Sequence, residues 1–318
     1  MTTMETVIIT GANAGIGYRA TEMLAQAGGF DLILACRNEA KGNEAVEKLK
    51  SKVPDVSASF MKLDLASLKS IHEFVDAFHD TGKPLHVLIN NAGLACDFRD
   101  TTVNHTEDGF ELTFGTNHLG HFLLTNLLIE DLKQTASKDG EARVVIVSSE
   151  LHDPKTVNHR MKNDIEFPFE FDNLQFEKAE TYNGLRAYGN SKLANVFFMH
   201  ELARRVEGSG VTATALNPGF IPDTELLRGA SGWSKFMLRN VLYYVLRLFN
   251  VTRTLDHGSG MIFDLATKPE YKGVTGKYFN DYQETEPSEE SRDTEKAKKL
   301  WDVSADLVKY QAAKDLGV

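Results

Sequence analysis

Cysteine is scarce in this 318-residue chain, with Cys36 and Cys96 the only two. That is too few for a disulfide framework, and both fall where the sequence reads as strand end or loop, so a reducing, cytoplasmic setting is expected. Basic charge is in deficit: 35 Lys and Arg stand against 45 Asp and Glu, a formal net charge of −10. Delocalised attraction to nucleic acid or anionic lipid is thereby disfavoured. Long hydrophobic runs are missing too. The first, at residues 7–9, leads straight into glycine-rich sequence and is too short for a signal-peptide core or a membrane span, so no N-terminal anchor is expected. The longest later one, 236–249, is broken by Arg239 and Arg247 and is too short to cross a bilayer, which leaves it peripheral membrane contact at most. His118, His121 and His152 lack clustered carboxylate or cysteine partners, so no metal site is expected. No repeat, low-complexity tract or composition shift marks a linker. One domain over 1–318 is expected, its cofactor half at about 1–150 and its catalytic and substrate half at about 151–318.

What is present is alternation. Strand-like runs at 6–10, 32–35, 57–62, 87–90 and 144–148 are separated by helical periodicity at 14–27, 39–52 and 68–79. Strand alternating with helix implies an α/β fold, a Rossmann-like doubly wound parallel sheet covered on both faces. Such sheets bind ligands beyond the carboxyl ends of their strands. After Ser149 the pattern breaks over 152–186, where Pro154, Pro168 and Phe167-Pro168-Phe169-Glu170-Phe171 read as an insertion packed by aromatics. A helix resumes around Ala187. A strand at 211–216, Asn217-Pro218-Gly219, an amphipathic segment at 233–249, a helix at 257–267, a short strand at 277–279 and a charged helix within 291–310 follow.

The first strand runs through Gly11, Asn13, Ala14, Gly15, Ile16 and Gly17 into a helix, where glycines let the backbone approach a pyrophosphate and helix N–H groups meet its charge. After the second strand an NAD-preferring protein usually carries a carboxylate for the ribose 2′-hydroxyl; here stand Arg37 and Asn38. Arg37 offers a planar, permanent cation to a 2′-phosphate, so NADP(H) is expected. Asp64, followed by Leu65, ends strand three and can accept from an adenine amino group or cap a helix. Strand four ends in Asn90-Asn91-Ala92-Gly93, small and polar where the adenosine side would pass.

Glycine turn, Asp64 and Asn90-Asn91-Ala92-Gly93 occur here in the order found in the short-chain dehydrogenase/reductase family, which the chain resembles. Tyr188 and Lys192 lie four apart on a helix, hence on one face. A cation beside the phenol, together with oxidised nicotinamide, would lower a tyrosine pKa that is ordinarily near 10. Ser149 ends strand five and would hold the substrate oxygen; Ser148 competes, and strand alternation lets only one of them face the site. The resemblance favours Ser149 and matches Asn117 to the family's helix asparagine, which holds a proton-relaying water. It further implies that Tyr188 is the acid and base, that Lys192 also bonds the nicotinamide ribose, and that the backbone at Pro218, Gly219 and Ile221 meets the carboxamide. Asp223 stands where a threonine is usual, and Thr224 follows it.

Longer strings, among them Thr116-Asn117-His118-Leu119-Gly120-His121-Phe122 and Val147-Ser148-Ser149-Glu150-Leu151-His152, resemble the retinol dehydrogenase group and light-dependent protochlorophyllide reductase. Phe220 weakens the second likeness, since that family carries a functional cysteine after the Pro-Gly pair. The expected activity is interconversion of carbonyl and alcohol on a bulky apolar substrate, a retinal-like aldehyde or ketone. The alternatives are a photoenzyme-like reductase and a dinucleotide sensor or scaffold without turnover. The aromatic insertion and 233–249 suit an apolar pocket wall or lid; packing and a dimer surface are the other readings, so the chain is expected to be a monomer or homodimer.

Overall fold

The computed structural model describes residues 4–98, 100–156, 169–221 and 253–316. Its strands are β1 (Glu5–Thr10), β2 (Phe30–Cys36), β3 (Ser57–Lys62), β4 (Val87–Asn90), β5 (Ala142–Val147), β6 (Val211–Asn217), β7 (Lys277–Asn280) and β8 (Gln283–Glu284). They form one sheet in the order β3-β2-β1-β4-β5-β6-β7-β8. Every pairing is parallel except the antiparallel β7–β8. The central strands β1, β2, β4 and β5 are nearly continuous apolar runs because both faces are buried, whereas the edge strand β3 is half-exposed and mixed in composition. Val7 and Ile9 point into one core layer and Ile8 into the other.

Helices α1 (Gly15–Ala27), α2 (Glu39–Lys52) and α7 (Leu255–Thr267) cover the first layer, with Leu24, Leu49 and Ile262 against the sheet. The other layer carries α3 (Leu68–His79), α4 (Gly120–Leu127), α5 (Ile129–Asp139), α6 (Gly184–Arg205) and α8 (Thr294–Leu307) through Phe74, Phe122, Leu132, Phe197 and Trp301. A helical turn, Leu112–Phe114, and a π turn, Gly115–Leu119, lead directly into α4. Neighbouring β1 are β2 on one side and β4 on the other, so the winding reverses there and opens a crevice beyond the carboxyl ends of those strands.

Expected and observed boundaries agree closely for the early elements. Neither helix α5 nor the bounds of α4 were anticipated, since α4 is buried nearly all round and shows no polar stripe to set its period. Strand β8 was missed too, being two residues long. The turn before it has Asp281 and Tyr282 at φ 49° and 62°, the left-handed pair of a tight hairpin. Tertiary contacts hold that costly conformation. Asp281 accepts from Arg253 Nη2 at 2.6 Å and faces His257 Nε2 at 2.9 Å, while Tyr282 Oη donates to the His257 carbonyl at 2.9 Å.

The insertion needs a correction. Of its described aromatics, Phe169 is buried against Phe197 of α6 with ring centroids 5.4 Å apart, and Phe171 packs on Phe169 under Lys299. These rings fill the core between α6 and α8 instead of lining a wall, because an insertion of this length must bury its own apolar groups. The 233–249 segment lies outside the described residues.

Candidate active site

The crevice begins at the glycine turn. Gly11 and Gly15 have φ of 67° and 56°, the left-handed region that glycine enters without strain. Helix α1 starts at Ala14 with no side-chain cap and no acidic residue in its first turn. By contrast α2, α3, α6, α7 and α8 are capped by Asn38, Ser67, Asn183, Thr254 and Asp293. Helix α1 therefore leaves its first N–H donors and the positive end of its dipole for an anion, which fits a dinucleotide's pyrophosphate. The turn is held from beneath. A Cβ at Gly17 would lie 2.3 Å from Asn91 Nδ2 and 2.7 Å from the Gly11 carbonyl. Asn91 Nδ2 donates to the Thr10 carbonyl at 2.7 Å, and Thr10 Oγ1 accepts from the N–H of both Asn91 and Ala92 at 2.9 Å. Burial pushes the Cys36 thiol up to about 11; it meets the N–H groups of Ala12 and Asn13.

Arg37 and Asp64 come together at the ends of β2 and β3, with Nε 4.0 Å from Oδ2. The Arg37 side chain is 58% exposed, so this loose pair leaves the guanidinium open to a further anion. Asn38 spends its side chain on the cap of α2, accepting from Lys41 N at 2.9 Å. Asp64 does not cap α3. Its Oδ1 accepts from Ala66 N at 3.0 Å, and Ser67 takes the cap. Leu65 is buried, and its carbonyl would lie 2.4 Å from a Cβ at Gly120, so α4 crosses there by backbone contact.

The four residues expected to act in catalysis converge from the π turn, the end of β5 and α6. Ser148 Oγ donates to the Lys192 carbonyl at 2.8 Å, which turns it away and leaves Ser149 hydrogen-bonded to the Tyr188 phenol. Lys192 Nζ donates to the Val147 carbonyl at 3.0 Å and stands 5.7 Å from the Tyr188 ring centroid. Asn117 is fully buried; it exchanges two 2.9 Å bonds with the Leu94 backbone and donates to Ser191 Oγ at 3.0 Å. A Cβ at Gly93 would sit 3.5 Å from both Asn117 Oδ1 and Lys192 Nζ, so the fourth loop borders the same pocket. Beyond β6, Asn217 Oδ1 accepts from Gly219 N at 3.1 Å, and Pro218 and Ile221 pack against Gly258 of α7. Thr224 and Asp223 lie outside the described residues.

The Tyr188 phenol is pushed up to about 12, because burial outweighs the hydrogen bond from Ser149. Burial also brings the Lys192 ammonium down to about 8. The Tyr188 phenol is thus protonated at neutral pH in this environment. Two contacts had no signal in the sequence: Phe98, whose ring packs 5.9 Å from that of Tyr188, and Ser191 beneath Asn117. His121, read as an ordinary helix histidine, is buried between Thr10 and the Asn117 carbonyl. Among the described residues no helix is long and apolar enough to cross a membrane.

Comparison with known proteins agrees with this geometry. The short chain dehydrogenase family model matches residues 5–158. Human retinol dehydrogenase 13 is 39% identical over 97% of this chain and 86% of its own length. The chloroplastic short-chain dehydrogenase TIC 32 B of Brassica napus is 37% identical over 95% of this chain and 88% of its own. Among solved structures, an uncharacterised protein from Mycobacterium paratuberculosis superposes with a TM-score of 0.68 at 30% identity, covering 96% of this chain and 93% of that one.

Proposed function

The chain belongs to the short-chain dehydrogenase family of oxidoreductases, and on that premise we propose that it is an NADP(H)-dependent reductase of bulky apolar aldehydes or ketones. The observation that carries this reading is the convergence of Ser149, Tyr188, Lys192 and Asn117 on one pocket beside the glycine turn. When bound beside that turn, NADPH would supply the hydride. The chain's part is to place and protonate the substrate. Ser149 Oγ orients the carbonyl oxygen, and Tyr188 delivers the proton to it as hydride arrives at carbon. Lys192 and the backbone around Asn117 resupply that proton from the interior side. Gly11, Gly15 and Gly17 hold the pyrophosphate with the open end of α1, and Asn91, Ala92 and Gly93 line the adenosine side.

NADP(H) is preferred over NAD(H) because Arg37 stands exposed where the 2′-phosphate would lie and Asp64 only partly engages it. Removing a charge-assisted contact costs on the order of 1.5–3 kcal/mol. Arg37→Ala should therefore weaken NADPH by about 10- to 150-fold and leave NADH nearly unchanged. Isothermal titration with both cofactors reads this, and equal affinities in the unaltered protein would refute it.

The reduction should also have an alkaline limit set by Lys192 and not by Tyr188. A lysine whose proton is lost near 8 carries its charge below that value and sheds it above, while a phenol near 12 stays protonated throughout. The expected profile of kcat/KM is flat from pH 6 to 7.5 and declines above about 8. A profile level to pH 10 would remove Lys192 from the proton path.

The apolar character of the substrate rests on the composition of 233–249 and on the likeness to retinol dehydrogenase 13. Straight-chain aldehydes of increasing length, assayed with NADPH by loss of nicotinamide absorbance, test it. Each buried methylene adds about 0.8 kcal/mol until the pocket is full, so kcat/KM should climb along the series. A falling series would exclude an apolar substrate, and NADPH binding with no turnover of any carbonyl would favour a sensor.

A further inference from the structure

We propose that His121 is a positioning residue that couples the cofactor's glycine turn to the Asn117 carbonyl as a neutral imidazole protonated at Nδ1. This rests on the reading of the site given above. The argument begins with Thr10, at the end of β1. Its Oγ1 accepts two backbone donors, Asn91 N–H and Ala92 N–H, each at 2.9 Å. A hydroxyl oxygen has two lone pairs, so Oγ1 has no place for a third donor. The neighbour His121 Nε2, 2.9 Å away, must then accept the Thr10 proton, the other acceptor in reach being the Ile89 carbonyl at 3.3 Å. If Nε2 accepts in a neutral ring, the proton sits on Nδ1.

The other end of the ring demands the same state. Nδ1 lies 3.0 Å from the Asn117 carbonyl, a pure acceptor, so a proton has to stand between them. Both contacts are buried, and both ends fix a single tautomer. The doubly protonated ring is excluded by Thr10 and by burial beside the Lys192 ammonium, which bring its pKa down to about 4. The chain of donors therefore runs from the Asn91 and Ala92 backbone through Thr10 to the ring, and from the ring to Asn117.

Local structure explains why a histidine can do this. Residues Gly115–Leu119 form a π turn, with Gly120 N donating to the Gly115 carbonyl. That widened turn lies just before His121 and lets its ring reach the carbonyl of its own helix four residues back. A π turn inside a helix is frequently a functional feature. One ring thus holds both places, Thr10 beneath the glycine turn through Nε2 and the Asn117 carbonyl at the base of the catalytic pocket through Nδ1.

The two halves of the ring can be tested apart. In His121→Asn the side-chain amide falls near the position of Nδ1; it keeps the bond to the Asn117 carbonyl and loses Thr10. In His121→Gln the amide falls near Nε2; it keeps Thr10 and loses Asn117. His121→Asn should then raise the NADPH dissociation constant about tenfold with kcat within twofold. His121→Gln should lower kcat about tenfold with the dissociation constant within twofold. Both variants shifting the two parameters alike, or neither shifting any, overturns the proposal.

Should the variants fail to fold, the unaltered protein decides. Nitrogen-15 shifts of the His121 ring should show protonated Nδ1 and bare Nε2 from pH 6 to 8, and an Nε2-protonated or doubly protonated ring overturns the proposal. NADPH affinity is read by fluorescence and not by turnover. An unaltered chain that binds no NADPH would sink the reading of the site, whereas a wrong tautomer would sink only the role of His121.

Discussion

Tyr188→Phe should lower the rate of carbonyl reduction by about 10²–10⁴-fold, the range a positioned acid contributes, while NADPH binds as before. The substitution removes one oxygen from a buried ring whose hydroxyl is hydrogen-bonded to Ser149, and it leaves the glycine turn untouched. The Phe98 contact and the 5.7 Å approach of the Lys192 ammonium involve the ring, which remains. Single-turnover kinetics with saturating NADPH isolate the chemical step from product release. A variant that retains half its activity would show that another group gives the proton, and Tyr188 would then be a packing residue of α6.

The second large effect concerns the far side of the molecule. Trp301→Ala should destabilise the fold by about 3–5 kcal/mol, the cost of truncating a buried tryptophan. The indole is stacked on Phe198 at 5.6 Å, meets the edge of Phe122 at 4.9 Å and lies under the Arg205 guanidinium at 4.7 Å. Its Nε1–H donates to the Ala313 carbonyl at 2.8 Å, so the loss would leave that carbonyl only the longer 3.4 Å bond from Arg205 Nη1. The same helix reaches the π turn before α4 through Ser304 Oγ, 2.9 Å from His118 Nε2. Urea titration should show a lower midpoint with an unchanged slope. A midpoint within 0.5 M of the unaltered protein would mean that α8 is an appendage and not part of the core.

What could be read from residues alone follows physical lines. Strands β1, β2, β4 and β5 were legible because parallel strands buried on both faces are nearly apolar throughout, as in Val7-Ile8-Ile9 and Val144-Val145-Ile146. Helices α2 and α3 were legible because one face is wet: α2 buries only Gly42, Ala45, Val46 and Leu49. The candidate site was read at the points where chemistry restricts residue choice, namely the glycine turn, Tyr188 one turn from Lys192, and Arg37 in the place of a carboxylate, and the structure brings the first two to one crevice. Long-range geometry was not legible. Nothing in the spacing of Thr10 and His121, 111 residues apart, reveals a hydrogen bond. Tyr188 shows the same limit in another form, since the burial that raises its pKa comes from residues distant in sequence, Phe98 among them.

The β7–β8 hairpin governs how the protein behaves when crowded. A parallel sheet ending at β7 would present a strand carrying Tyr278 and Phe279 to any unpaired neighbour, which is a template for fibril growth. Strand β8 closes that side with only two residues, both exposed, and with Glu284 Oε1 paired to Lys277 Nζ at 2.5 Å. An incoming chain finds almost no ladder to extend and a charged rim to desolvate. The left-handed turn at Asp281 and Tyr282 therefore guards this edge against edge-to-edge polymerisation, and variants that flatten it are the ones from which aggregates should start.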